Sequence, residues 1–221
     1  MQISCATTQS YRCKLCGDTG WKPLPGVADR TVVRCDCRGD LKLARVKKVL
    51  PPLYHDARLL DFSEPIRKAT EQWLKYPTCG LLLLGGVGTG KTYLSAVIAR
   101  ALVESDRTVI FQSAADFYAE LRASFNSMEA GVNEYSLVTR LSDVEFLILD
   151  DVGSGSLSDH ERRSTLHLLE VRLNHLRSTI ISSNLTLDEI SSGLDERIAS
   201  RLSSFTKFVL TGRDRRRRPR I

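Results

Sequence analysis

Eight consecutive residues, Gly85-Gly86-Val87-Gly88-Thr89-Gly90-Lys91-Thr92, fit the pattern Gly-x4-Gly-Lys-[Ser/Thr] and follow the apolar run Cys79-Gly80-Leu81-Leu82-Leu83-Leu84. Glycines at this density let consecutive backbone N–H groups turn inward. A helix N-terminus behind them adds partial positive charge, so the stretch makes a nest for an anion. Lys91 supplies a point charge for the outer phosphates of a nucleotide, and the Thr92 hydroxyl suits a magnesium ion. The alternative is a glycine-rich turn without a ligand, which needs neither a strand before it nor a helix after it. Both are present here.

Glu145-Phe146-Leu147-Ile148-Leu149-Asp150-Asp151 is an apolar strand ending in two carboxylates. Beside a phosphate loop, Asp150 is expected to hold magnesium, partly through water, and Asp151 to polarise an attacking water. Two acids at a buried strand end are costly without a cation or a water network. Acids that merely cap a helix are the plainer alternative. Ser182-Ser183-Asn184 closes a later strand, where the Asn184 side chain can meet the terminal phosphate or serve only as a turn residue. In Asp195-Glu196-Arg197-Ile198-Ala199-Ser200-Arg201, Arg197 and Arg201 lie one helical turn apart on one face. Presented to another subunit's phosphates, such an arginine stabilises transition-state charge. Otherwise it is surface charge near a helix C-terminus.

A second cluster lies near the start: Cys13-Lys14-Leu15-Cys16-Gly17 and, downstream, Cys35-Asp36-Cys37. Two close cysteine pairs can supply the four soft ligands of a tetrahedral zinc site, and Gly17 permits a tight turn beside the sulfurs. Tyr11 to Asp40 holds too few apolar side chains for a core, so a metal would contribute most of its fold. Disulfides fit less well, because Cys-x-Cys is poorly placed to bridge itself and no export signal is present. Reduced cysteines without metal are the remaining alternative. Cys5 reads as a tail residue and Cys79 as a core residue; the four histidines show no ligand spacing with the cysteines.

These groups need elements to position them. Strands are expected at 80–84, 108–112, 145–149, 178–183 and 206–210, with helices at 90–105, 114–126, 134–141, 158–176 and 194–203. Ser158-x-x-Glu161 and Thr186-x-x-Glu189 are capping-box starts, and Leu166, Leu169, Leu173 and Leu176 form a helical stripe. Such alternation predicts a parallel sheet covered by helices on both faces. Ahead of it, residues 41–50 read as a short basic helix stopped by Pro51-Pro52, and 63–75 as a helix with Ser63 at its N-cap. A length of 221 residues allows one domain plus a small module. The expected parts are a zinc module at 1–40, a linker helix and approach segment at 41–62, an ATPase core at 63–212 and an arginine-rich tail at 213–221. The net charge is +6, of which Gly212 to Ile221 carries +5, so the rest is nearly neutral. That tail can touch nucleic acid phosphates or stay solvated. Met1 to Gln9 lacks the features of a signal peptide and no apolar run is long enough to span a bilayer, so a cytoplasmic protein without membrane contact is expected.

With these motifs in order, the chain resembles the AAA+ replicative helicase loader ATPases of the DnaC/DnaI type and their relatives, the IstB-type transposition helpers. The likeness runs from Cys13 to about Arg216. It rests on Cys13 to Trp21 with Cys35-x-Cys37, Pro52-x-Tyr54, Asp56-Ala57, Asp61-Phe62, the phosphate loop, Leu147 to Gly153, Ser183-Asn184-Leu185, Glu196 to Leu202 and Gly212-x-Asp214-x-Arg216. The resemblance implies an α/β AAA+ core of five parallel strands, with the Asn184 strand between the loop strand and the Asp150 strand. It implies ATP bound at Gly85 to Thr92 and Asp150, Mg2+ at Thr92 and Asp150, and catalysis by Asp151 with Asn184 as sensor. Arg197 and Arg201 are then the trans arginines, Arg201 being preferred as the finger, so self-association is implied. Zn2+ at Cys13, Cys16, Cys35 and Cys37 would build a module that docks on a replicative DNA helicase. Single-stranded DNA would meet the region 114–140, with Arg122 and Arg140 as contacts. Asp151 stands where many AAA+ proteins carry glutamate, which fits slow, switch-like hydrolysis. Only 20 residues follow Arg201, which implies a lidless core. The implied function is ATP-switched helicase loading in DNA replication. The alternatives are a transposase helper, a non-hydrolysing zinc scaffold and a small-molecule kinase, the last disfavoured by the tandem acids and the arginine pair.

Overall fold

The computed structural model describes residues 13–16, 19–24, 26, 31–77, 80–126, 133–212 and 214. Gly17, Cys5, Cys79 and all six arginines of the tail lie outside them. The chain divides into two compact units between Arg45 and Val46.

In the first unit, β1 (Trp21–Pro23) and β2 (Val32–Arg34) pair antiparallel, Lys22 opposite Val33. The helix α1 (Cys37–Val49) starts in this unit, on the last cysteine of the cluster rather than at Leu41, and its last residues belong to the second unit. Strands of three residues are too short to show a period, so this hairpin has no sequence signature.

In the second unit, two short 3-10 turns, Pro52–Tyr54 and Leu59–Asp61, lead into α2 (Glu64–Lys75). Ser63 sits at the N-cap of α2, but its side chain makes no capping hydrogen bond. Then follow β3 (Leu81–Leu84), α3 (Lys91–Glu104), β4 (Val109–Ser113), α4 (Ala114–Asn126), α5 (Glu134–Asp143), β5 (Phe146–Asp150), α6 (Asp159–Asn174), β6 (Ser178–Ser183), α7 (Leu187–Gly193), α8 (Glu196–Ser203) and β7 (Thr206–Val209). The strands form one five-stranded parallel sheet in the order β4-β5-β6-β3-β7. The Asn184 strand therefore lies between the loop strand and the acid strand.

Side chains alternate across a pleated sheet, and the core divides accordingly. Leu82, Leu84, Leu147, Leu149 and Ile181 pack with Phe117, Leu121, Leu168 and Leu202 on one face. Leu81, Leu83, Phe146, Ile148 and Ile180 pack with Leu94, Ile98 and Trp73 on the other. β3 and β5 are apolar at nearly every position because both faces are covered, whereas the equally buried β6 between them sets two isoleucines among serines and a threonine.

Helix starts follow local chemistry. Ser158 and Glu161 close the capping box of α6, Thr186 and Glu189 that of α7, and Asn133 with Ser136 that of α5. The helix expected at 194–203 is α8, which starts two residues later, and the Thr186 start signal belongs to the separate α7. A turn at Leu194 separates two helices, and Asp195 caps the second. The leucine stripe of α6 ends at Leu173. Leu176 lies beyond the last helical residue with φ +52° and is exposed, so it has no core partner.

Candidate functional site

The loop between β3 and α3 is held in shape by backbone that only glycine tolerates. Gly85 has φ +147°, and a β-carbon there would lie 2.2 Å from the Leu210 carbonyl oxygen. Gly90, at φ +102°, is the N-cap of α3 and turns the chain so that Lys91 begins the helix. The Thr89 hydroxyl donates to the Gly86 carbonyl at 2.9 Å, closing the loop on itself. Lys91 is buried. Its ammonium donates to the Gly85 carbonyl at 2.7 Å, the Gly86 carbonyl at 2.9 Å and Asn184 Oδ1.

The acids meet this lysine through β6. Asp150 ends β5 and is 7% exposed. Burial raises its pKa, opposed by hydrogen bonds from the Ser182 and Thr92 hydroxyls and by the charge of Lys91, while Asp151 pushes it further up. Asp151 follows with φ +62°. Its carboxylate accepts from Asn184 Nδ2 at 2.8 Å, so Asn184 bridges Lys91 and Asp151. The site thus joins the ends of three adjacent strands. A carboxylate and a hydroxyl, Asp150 and Thr92, face the same cleft and form an oxygen donor set suited to a hard divalent cation such as magnesium. Ser182, which sequence reasoning passed over, bonds to both acids. Its signal is its position two residues before Asn184.

The same mouth opens on a cleft of about 620 Å³ lined by Tyr54, Thr92, Gln112, Asp116, Arg140 and Asp150, among others. Arg140 donates to Glu120 at 2.7 Å there. Arg122 does not line this cleft; it pairs with the buried Glu161. Arg197 pairs with Asp195, its own N-cap, and Arg201 with Glu170 of α6 at 2.8 Å. Neither Asp195 nor Glu170 belongs to the lysine–asparagine–acid cluster, and both arginine side chains are exposed.

In the first unit, Cys13, Cys16, Cys35 and Cys37 bring their sulfurs within 4.8 Å of one another. The Cys13–Cys35 sulfurs are 3.7 Å apart and the Cys16–Cys37 sulfurs 3.2 Å. Four thiolates about 2.3 Å from a zinc ion stand roughly 3.8 Å apart, so the set fits that metal, and all four are free cysteines. The scaffold is local: Thr19 Oγ1 donates to the Cys16 carbonyl at 2.6 Å, and the Cys35 N–H to the Gly20 carbonyl at 2.9 Å. Burial works against ionising Cys16, but hydrogen bonds from Cys37 and the Gly20 backbone outweigh it and bring this thiol down to about 7. The same sulfur–sulfur contact pushes Cys37 up.

A phosphate loop, a tandem acid pair and an intervening asparagine strand in this sheet order define an AAA+ type ATP-binding fold. A family model described as IstB-like ATP binding protein matches residues 65–204, and the chain belongs to that family. It is 28% identical over 118 residues to the replicative helicase loader DnaC of Escherichia coli K12, covering 53% of this chain and 47% of that protein. To the DnaC of Buchnera aphidicola subsp. Baizongia pistaciae it is 30% identical over 127 residues, covering 58% and 51%. The chain spans about half the length of the curated relatives it matches. Among solved structures, a crystal structure of DnaI superposes with a TM-score of 0.64 at 24% identity, covering 77% of this chain and 99% of that one. The DnaC helicase loader gives 0.63 at 21%, covering 73% and 100%. Among the described residues no helix is long and apolar enough to cross a membrane.

Proposed function

We propose that this protein is an ATP-switched assembly factor that loads a replicative helicase onto single-stranded DNA. The observation that carries the reading is the chain of contacts Lys91–Asn184–Asp151. The Lys91 ammonium donates to two loop carbonyls and to Asn184 Oδ1. A phosphate oxygen that approaches Lys91 competes with these acceptors. Displacing Asn184 frees its carbonyl and alters its hold on Asp151, so phosphate occupancy is read at the acid. Gly85 to Thr92 then cradle ATP, and Thr92 with Asp150 hold magnesium, which would supply charge neutralisation at the phosphates. Asp151 orients the attacking water. Arg201, or its neighbour Arg197, would reach the phosphates of a second copy by leaving its partner in its own chain, Glu170 or Asp195. Its partner Glu170 is half-exposed, so the ion pair exchanges at little cost. The cysteine unit, holding zinc, would dock on the helicase, and the face around α4 and α5 would meet DNA, with Arg140 better placed than Arg122.

Support for the helicase as partner comes from the curated relatives, which are replicative helicase loaders. The test is gel filtration of the protein with the replicative helicase of its own cell. Co-elution with ATP, lost without nucleotide and in Lys91→Ala, is expected. Absence of any complex, or one indifferent to nucleotide, overturns the reading. A second reading, a transposase helper acting on duplex DNA, is favoured by the family model that matches. A helicase gene or a transposase gene beside this one separates the two.

A further inference from the structure

β6 and the bend that follows it offer the acid end of β5 two side chains, Ser182 and Asn184. Asn184 serves Asp151. Ser182 serves both acids: its hydroxyl donates to Asp150 Oδ1 at 2.6 Å and accepts the Asp151 N–H at 2.8 Å. The polarity is fixed, because an amide only donates and an ionised carboxylate only accepts. Ser182 also takes the next amide, Val152 N–H to its carbonyl at 2.9 Å. It is 1% exposed.

The need for such a residue follows from the backbone. In a regular strand consecutive side chains point to opposite faces. Here Asp150 meets Ser182, and Asp151 meets Asn184, two residues further on, rather than the adjacent Ser183. The left-handed backbone of Asp151 makes that possible, and it is a conformation a non-glycine residue keeps only when its surroundings hold it. Both amides that follow the bend end on Ser182.

Resting on the ATPase reading above, we infer that Ser182 is a positioning residue for the acid pair. Its hydroxyl occupies one oxygen of Asp150, leaving the other for the cation, and fixes the bend that carries Asp151 to Asn184. A serine present only for packing would lose stability on truncation and nothing specific to magnesium.

The experiment compares wild type, Ser182→Ala and Ser182→Thr. Affinity for a fluorescent ATP analogue is measured in magnesium-free buffer and across a magnesium titration, and ATP turnover at saturation. In Ser182→Ala the magnesium-free affinity should stay within about twofold, the magnesium requirement should rise ~10-fold, and turnover should fall ~10- to 100-fold. Ser182→Thr, which keeps the hydroxyl, should recover most of both. The inference is overturned if Ser182→Ala keeps the wild-type magnesium requirement. It is equally overturned if magnesium-free affinity falls in step with turnover, or if a folded Ser182→Thr is as impaired as the alanine variant. Should the threonine variant not fold, Ser182→Ala alone decides. If wild type binds the analogue but turns over no ATP, the ATPase reading fails, and the magnesium titration still judges Ser182.

Discussion

Asn184 sits at the joint of the site, one end of its amide on Lys91 and the other on Asp151. Asn184→Ala should therefore leave ATP affinity within about threefold while turnover falls ~10- to 100-fold, as expected when a group acts mainly after binding. Steady-state kinetics with a separate binding titration check this. Lys91→Ala should instead abolish measurable nucleotide binding, because the loop loses the ammonium that the Gly85 and Gly86 carbonyls hold inward. The groups legible in sequence were those packed into short runs: the phosphate loop, the two acids and the asparagine triplet. Ser182 was not legible, because a serine on a buried strand carries no signal until the register with β5 is known. Nor could spacing show that Arg122 is occupied by Glu161.

At the scale of elements, Arg172 of α6 is fully buried. Its guanidinium donates to the Leu141, Ser142, Val144, Glu145 and Ser178 carbonyls and to Thr179 Oγ1. It thereby caps the C-terminal end of α5 and ties α5 and α6 to β5 and β6. Arg172→Met should leave those carbonyls unpaired, costing about 3 kcal/mol and lowering the Tm by roughly 10 °C in calorimetry. Glu161 gives a pH dependence. Burial tends to raise its pKa, but hydrogen bonds from the Ser158 backbone and hydroxyl and from Arg122 prevail and hold it below the ordinary 4.5. A depressed folded value means that its contribution is complete above 4.5 and is lost as pH falls through the folded value. Denaturant midpoints taken between about pH 6 and pH 3 should drop for wild type, and less steeply for Glu161→Gln, which starts lower. The sheet and these caps were readable because apolar runs and capping boxes are local. The hairpin of the first unit and the burial of Arg172 were not, since three-residue strands lack a period and an arginine inside a helix reads as surface.

At the scale of the whole molecule, one chain joins a unit built around four clustered cysteines to a unit built around a phosphate loop. Purified protein should carry about one zinc per chain by metal analysis, as four thiolates satisfy one tetrahedral ion. Cys35→Ser, or chelation followed by return of magnesium, should remove zinc and the near-ultraviolet signal of Trp21 while ATP affinity persists. The central claim is that the loop, the acid pair and Asn184 form one site that binds and hydrolyses ATP. Its most direct measurement is single-turnover hydrolysis of labelled ATP by wild type and Asp151→Asn, with nucleotide affinity determined for each. The account predicts magnesium-dependent binding by both and slow cleavage by wild type alone. Cleavage at the wild-type rate in Asp151→Asn, or no ATP bound by folded wild type, would contradict it.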